Sequence, residues 1–318
     1  MTAKITFAKT DFRGEIIVKK INSVKIESSW KMLTDTATII LPRNVKYFDK
    51  YNVRETFKKG DNVKIELGYD GKLITEFEGH ITRVSADIPI KIECEDEMYM
   101  LKKIPVNISL KSTSLQNLLN KIVPGYSVDA LEVEVGSQRH AKSTVAKVLK
   151  YFKDEYSLYS YMKGKQLVIG KVYADDTDIE PIKLHLEKNV VNNDLNYKNK
   201  EDVIIKIIAV STLKNGNKIE VEIGDNDGEE RQLSYYNIKL EAELEKLAKE
   251  DYKKYKVDGF DGTVTLFGTP VIRHGYKVDL KSDLYPDRNG VYYVERTTIV
   301  FDDSPQFRRT IQLGDKAK

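Results

Sequence analysis

Hydrophobic and polar residues alternate most clearly in Lys58–Lys103. Val63, Ile65 and Leu67 alternate with Asn62, Lys64 and Glu66, the period of two of a half-buried strand. Tyr69-Asp70-Gly71 follows as a turn, because Asp-Gly tolerates the positive φ angles a tight hairpin requires. A longer strand is predicted through Leu73, Phe77, Ile81 and Val84. Gly79 inside it marks a bulge or bend of the kind that curls a sheet towards a barrel. After Asp87-Ile88-Pro89, Ile90, Ile92 and Cys94 alternate again with Lys91, Glu93 and Glu95. The stretch reads as an antiparallel meander with one polar face, a scaffold rather than an active site.

The same patterns extend in both directions. Residues 1–43 read as strands Ile5–Phe7, Ile16–Ile21, Val24–Ser28 and Thr36–Leu41, the last stopped by Pro42. Asn44–Phe57 is irregular and aromatic (Tyr47, Phe48, Tyr51, Phe57), a loop packed on the subunit or on a partner. Pro105–Lys111 reads as a connecting strand. Thr113 and Gln116 fit a capping box for a helix burying Leu115, Leu118, Leu119 and Ile122 and stopped by Pro124-Gly125. Tyr126–Val135 alternates like a strand. A second helix from about Ser143 buries Val145, Val148, Leu149 and Phe152, and Lys163-Gly164-Lys165 turns a hairpin between Tyr156–Met162 and Gln166–Lys171.

Strands resume at Ile182. Val203–Leu213 and Lys218–Ile223 flank the hairpin signal Asn215-Gly216. A helix over 238–255 follows, with Leu240, Leu244, Leu247, Ala248, Tyr252 and Tyr255 on one face and pairs such as Glu245/Lys249 on the other. Such a stripe packs on its own sheet or docks a partner. Strands near Gly262–Phe267, Tyr276–Lys281, Val291–Phe301 and Phe307–Leu313 complete the pattern, with turns at His274-Gly275 and Pro286–Gly290. The fold class is therefore mainly β with an α+β insertion. Its expected parts are a β-barrel-like domain over 1–105, a small α/β module over 106–185, and a second β-barrel-like domain over 186–318 that includes the helix.

Composition narrows the function. At 318 residues the chain has room for two or three cores. Its 52 basic and 49 acidic residues are closely mixed and leave a net charge of only +3, without the basic stripe of a dedicated nucleic-acid binder. A lumen through which nucleic acid merely passes remains compatible. Cys94 is the single cysteine, so no internal disulfide forms, and its strand position reads as a buried thiol. The start of the chain lacks a signal-peptide core, and the longest uncharged run, Gly262–Ile272, is far short of a membrane span. The expectation is a soluble protein made in the cytoplasm, without membrane insertion.

Candidate chemistry is sparse. His80, His140, His185 and His274 fall in no metal-ligand spacing, and Cys94 has no cysteine partner, so neither zinc nor another cofactor is expected. Gly224–Glu230 has the look of a calcium loop but lacks the spaced oxygen ligands and terminal glutamate of an EF-hand, and reads as a charged turn. Phosphate-loop, dinucleotide and nucleophile-elbow motifs are missing from the sequence. No catalytic residue is assigned, and the chain is read as not an enzyme.

The last third carries a resemblance. Tyr236-Asn237, the Ala/Leu/Lys-rich helix, Asp258-Gly259, Gly262, Gly268-Thr269-Pro270, Gly275, Tyr285-Pro286 with Gly290, Tyr293-Val294, Arg309-Thr310 and Leu313-Gly314 occur in this order. Together they resemble the late-control-D family of phage tail baseplate hubs, related to the hub part of type VI secretion spikes. The opening half fits as well, through the WKMLTDTA run at Trp30 and the meander at Gly60–Gly71. The likeness is weakest over 106–200. It implies a homotrimer whose two barrels per chain form a pseudo-sixfold ring between a hexameric tail tube and a trimeric spike, in a virion tail baseplate. The implied partners are the tail tube protein, the central spike, other baseplate proteins and a tape measure, with DNA at most passing through the lumen. The family carries no catalytic residues. Gly60, Gly71, Gly79, Asp258, Gly259, Gly262, Gly268, Pro270, Gly275, Pro286, Gly290 and Gly314 are expected as turn and strand-end positions.

Three rivals stay open at this point. One is the hub of a type VI or extracellular contractile injection spike. The second is a tail-associated polysaccharide-degrading enzyme, for which little sequence remains after residue 314. The third is a polysaccharide-binding protein using Tyr47, Phe48 and Tyr51. The short stretch after Gly314 also leads us to expect a separate spike protein rather than a fused needle.

Overall fold

The computed structural model describes residues 1–42, 56–85, 89–171, 180–286, 289–304 and 306–317. The aromatic run Tyr47, Phe48 and Tyr51, the turn residues Asp87 and Ile88, and Asp287 and Arg288 lie outside them. The first strands are β1 (Thr2–Phe7), β2 (Ile16–Val18), β3 (Ser23–Ser29), β4 (Thr36–Leu41), β5 (Asn62–Tyr69), β6 (Lys72–Val84) and β7 (Ile90–Glu95). They lie side by side in the order β3-β4-β7-β6-β5-β1-β2, each antiparallel to its neighbour. Alternation puts Ile5, Phe7, Ile39, Leu41, Ile65, Leu67 and Ile92 on one face, all fully buried. Each such side chain contributes about 1.5–3 kcal/mol of apolar burial. Phe57 joins this core, its ring 4.6 Å from that of Phe7, so its packing is internal.

Asp70 and Gly71 form the tight hairpin with φ of 51° and 78°, and Tyr69 pairs directly with Lys72. Gly79 is not itself a bulge. The register slips on either side of it, at Glu76 and at Thr82. At Gly79 a Cβ would sit 2.1 Å from the Glu95 carbonyl, so glycine is there to let the end of β7 approach. The slip at Glu76 turns two consecutive residues, Glu76 and Phe77, into the core.

Next come α1 (Met98–Leu101), β8 (Pro105–Ser114), α2 (Leu115–Ile122), β9 (Ser127–Ala130), β10 (Glu134–Thr144), α3 (Val145–Tyr156), β11 (Ser160–Lys163) and β12 (Gln166–Ile169). The strand-like run expected over 126–135 is divided between β9 and β10. The α2 cap is Ser114, whose Oγ accepts from the Asn117 N–H at 3.2 Å, rather than Thr113. Such a cap is worth about 1 kcal/mol. Gln116 reaches instead to β9, bonding the Val128 carbonyl and the Ala130 N–H. The buried faces of α2 and α3 meet in one core with Met98, Leu167 and Ile169.

The remaining elements are β13 (Ile182–His185), β14 (Asn192–Lys198), β15 (Ile205–Thr212), β16 (Lys218–Gly224), β17 (Glu229–Tyr236), α4 (Glu241–Tyr255), β18 (Gly259–Phe267), β19 (Lys277–Lys281), β20 (Gly290–Asp302) and β21 (Gln306–Lys316). Strands β15, β16 and β17 make a separate sheet covered by α4, with β16 and β17 on opposite sides of β15. The acidic turn 225–228 therefore passes across the start of β15, where a Cβ on Gly228 would lie 2.5–2.6 Å from the Ile205 backbone. Asp225 pins this crossing: its carboxylate accepts from the Ile205 N–H, the Tyr252 hydroxyl and Lys256. Helix α4 starts at Glu241, buries Leu244 and Ala248, and leaves Leu240, expected on the packed face, 66 % exposed ahead of it.

The long hairpin β20–β21 organises the molecule. One end of β20 pairs with β19 and the other with β3, while β21 pairs with β18, so one continuous 13-stranded sheet unites strands from both ends of the chain. Ile299, Phe301 and Phe307 complete the first core. Tyr292, Val294, Ile311 and Leu313 of the same two strands belong to a second core with Leu184, Phe260, Val264 and Val278.

Candidate assembly surface of the central sheet

The face of this sheet turned away from the cores is polar across six strands. Thr265 of β18 pairs with Thr310 of β21, then Thr298 of β20, Glu27 of β3, Thr36 of β4 and Glu95 of β7, all in register. An adjacent row runs Phe267, Arg308, Val300, Lys25, Thr38 and Glu93. Most of the charges are balanced locally, whereas Arg308 lies 4.9 Å over the Phe267 ring and meets no carboxylate among the described residues. Glu27 meets Arg296 at 2.6 Å and Lys25 at 3.2 Å, Glu93 meets Lys91 at 2.6 Å, and Glu95 meets Lys102. The Lys91 hydrogen bond holds the Glu93 carboxyl below its usual range. Hydroxyls and largely paired charges make a wettable surface, interrupted by Phe267 and Val300 in the second row.

Beneath the face, a buried ion pair locks the two cores together. Arg309 occupies an inward position in the Phe307, Arg309, Ile311, Leu313 series of β21. It donates to Glu76 Oε1 at 2.6 Å and to the carbonyls of Gly268 and Ile272, and both charged side chains are 1 % exposed. Tyr69 reinforces the joint, donating to the Phe307 carbonyl and accepting from the Gly268 N–H, each at 3.2 Å. The sequence reading did not assign this pair. A charged residue at inward parity in a strand is the signal that marks it.

Two acids, the half-buried Asp35 and the buried Asp96, lie together just ahead of α1. Asp35 accepts from Ser28 Oγ at 2.6 Å, and Asp96 accepts from Thr34 Oγ1 at 2.7 Å and from the N–H groups of Asp35 and Met98. Burial and the nearby Asp96 push Asp35 up to about 7, and burial pushes Asp96 up to about 6. Both are tied into the backbone, so they serve as structural acids. His80 is buried between the Gly60 carbonyl and Glu97, and burial beside Arg273 pushes His274 down to about 4.

One grouping of metal-ligand types occurs among the described residues, His185 with Glu187 and Asp283. The two imidazole nitrogens each face a different carboxylate at 3.1 Å, Lys188 pairs with Asp283, and Ser282 donates to Glu187. Both carboxylates are thus already engaged by neighbouring donors.

The sequence-derived positions do not gather at one point. Gly60 and Gly71 lie at the two ends of β5, and Gly79 lies in β6. The others surround the second core. The Asp258 carboxylate accepts from the Lys200 N–H at 2.7 Å, Gly259 lies against Tyr292, and Gly268 lies under the Phe307 ring. Pro270 follows a cis bond, the Gly275 N–H donates to the Val294 carbonyl, and the Pro286 carbonyl accepts from the Asn289 N–H. Gly290 opens β20 against Lys316, and Gly314 sits in β21 where the register with β20 shifts. Gly262 is the most constrained, with φ of 126° and the Asp194 carbonyl 2.1 Å from where a Cβ would stand.

Compared as a sequence, the chain matches no protein-family model and no curated protein. Its structure is similar to the tail protein from Neisseria meningitidis MC58, with a TM-score of 0.66 and 13 % identity over 100 % of this chain and 96 % of that one. It is also similar to the 43 kDa tail protein of prophage MuSo2 from Shewanella oneidensis, with 0.63 and 13 % over 99 % and 98 %. The third is the E. coli c3393 protein, a component of the type VI secretion system with structural similarity to the T4 tail proteins gp27 and gp5. It gives 0.57 and 9 % over 94 % of this chain and 74 % of that one. The chain thus has the fold shared by these phage-tail and type VI secretion proteins.

Proposed function

We propose that the chain is a structural baseplate hub of a phage tail or tail-like particle, not an enzyme. In this reading three copies form a ring in which the two β-rich parts of each chain, 1–105 and 186–318, supply six similar units, with 106–185 as an added module. Such a ring adapts a hexameric tail tube to a trimeric spike and surrounds the channel. The observation that carries the reading is the polar row Thr265–Thr310–Thr298–Glu27–Thr36, which crosses strands from both ends of the chain without a break. A wall of hydroxyls and largely paired charges, with Arg308 over the Phe267 ring as its one cation lacking a carboxylate among the described residues, would hold a polyanion only weakly, since firm retention requires many unpaired Lys and Arg. The twelve motif positions, of which Gly79, Gly262 and Gly314 lie within strands rather than at turns or strand ends, serve the backbone geometry of this scaffold. The likeness to the E. coli type VI component favours one second reading, the hub of a secretion spike, which uses the same ring.

The test is solution mass by light scattering, for the chain alone and mixed with its neighbouring spike protein, with negative-stain images of each. A trimer and a ring in either state support the hub. A monomer in both states, without spike binding, sinks it.

A further inference from the structure

Where the module meets the β-rich body there is a cleft of about 160 Å³, lined by Lys31 and Leu33 from the β3–β4 loop, Leu149, Lys150 and Lys153 from α3, and Tyr159. That is well above the roughly 10–15 Å³ that a single water needs, and leaves room for one side chain. Its floor is fixed. Leu149 is fully buried, and the Tyr159 ring meets the buried Trp30 edge-on at 5.0 Å. Among the described residues its rim carries three ammonium groups but only two carboxylates paired with them: Lys31 pairs with Glu295 at 2.6 Å and Lys150 with Asp154 at 2.6 Å. Lys153 donates to the Lys31 carbonyl and lies 5.2 Å above the Tyr159 ring, and it meets no carboxylate among the described residues. The rim is thus one positive charge in excess, held over an apolar and aromatic floor.

We propose that this cleft docks an acidic peptide segment of a partner protein. One carboxylate enters between Lys31, Lys150 and Lys153, and its aliphatic stem lies on Leu33, Leu149 and Tyr159. Charge complementarity selects the carboxylate, and the apolar floor selects a side chain over a free anion. Because the lining comes from the body and the module together, the bound segment spans their joint. The inference is independent of the hub reading.

The full chain would be titrated with N-acetylated hexaglutamate, followed by calorimetry and by the emission of Trp30, the single tryptophan. We expect saturable binding that shifts Trp30 emission. It should weaken several-fold between about 0.01 M and about 0.1 M salt, as the screening length shrinks from about 30 to about 10 Å. Replacing Lys150→Glu with Lys153→Glu, both exposed, should weaken it at least about tenfold, whereas Lys249→Glu with Lys253→Glu on α4 should leave it unchanged. Circular dichroism of each variant checks the fold. Lack of saturable binding, equal loss in the α4 variant, equal competition by inorganic phosphate, or tighter binding of duplex DNA at the same lysines would each overturn the proposal.

Discussion

Glu76→Gln withdraws the negative charge that pairs with a guanidinium that is 1 % exposed. Burial pulls the Arg309 pKa down and the Glu76 charge opposes that. Removing one partner of a buried pair costs about 3–5 kcal/mol, because the other charge is left without compensation. The Gly268 and Ile272 carbonyls still accept from Arg309, which places Glu76→Gln near the lower end, at about 3 kcal/mol. Arg309→Met strands the carboxylate and deprives those two carbonyls of their donor, adding about 1–3 kcal/mol. The double substitution contains no buried charge, so its cost should fall short of the sum of the singles by at least about 2 kcal/mol. Urea unfolding followed by Trp30 emission and far-ultraviolet circular dichroism measures all three. A Glu76→Gln protein within about 0.5 kcal/mol of the parent, or strictly additive costs, would refute the argument that this pair locks the cores together.

Three further outcomes are expected. Asp35 has a folded pKa raised from 3.8 to about 7, so its contribution to stability is full below 3.8 and is lost as pH rises through about 7. Asp35→Asn should flatten the melting temperature against pH across that window, and an unchanged slope would count against the buried-acid assignment. Gly262→Ala forces a Cβ to within 2.1 Å of the Asp194 carbonyl at a φ of 126°, and should cost more than about 1 kcal/mol. The β14 amides should lose hydrogen-exchange protection first. Cys94 is 2 % exposed, and burial pushes its thiol pKa up, so it should resist a thiol reagent in the native protein and react on unfolding.

What the sequence could convey depended on the range of the interaction. Alternation in β5, β7 and β21 and the Asp70-Gly71 turn are local, and they led directly to the strands observed. The helix cap was ambiguous because Thr113/Gln116 and Ser114/Asn117 share one spacing. Only the capture of Gln116 by β9 decides between them. Leu240 carried the right periodicity but falls before the first turn of α4. The polar face was legible strand by strand, yet its continuity rests on the pairing of β3 with β20, which no neighbouring residue encodes. The Arg309–Glu76 contact, spanning 233 positions, was hidden for the same reason.

That long-range pairing has a consequence in time. Glu27 and Arg296, which meet across β3 and β20, are 269 residues apart in the chain. At a synthesis rate of about 5–20 residues per second, β3 leaves the ribosome roughly 13–54 s before its partner exists. During that interval one edge of the growing sheet is open, and Val24, Ile26 and Ile39 wait for the Ile299, Phe301 and Phe307 that will complete their core. The nascent chain is thus most prone to sticking while the residues between β4 and β20 are being made, and the β20–β21 hairpin both completes this core and ends its exposure to aggregation.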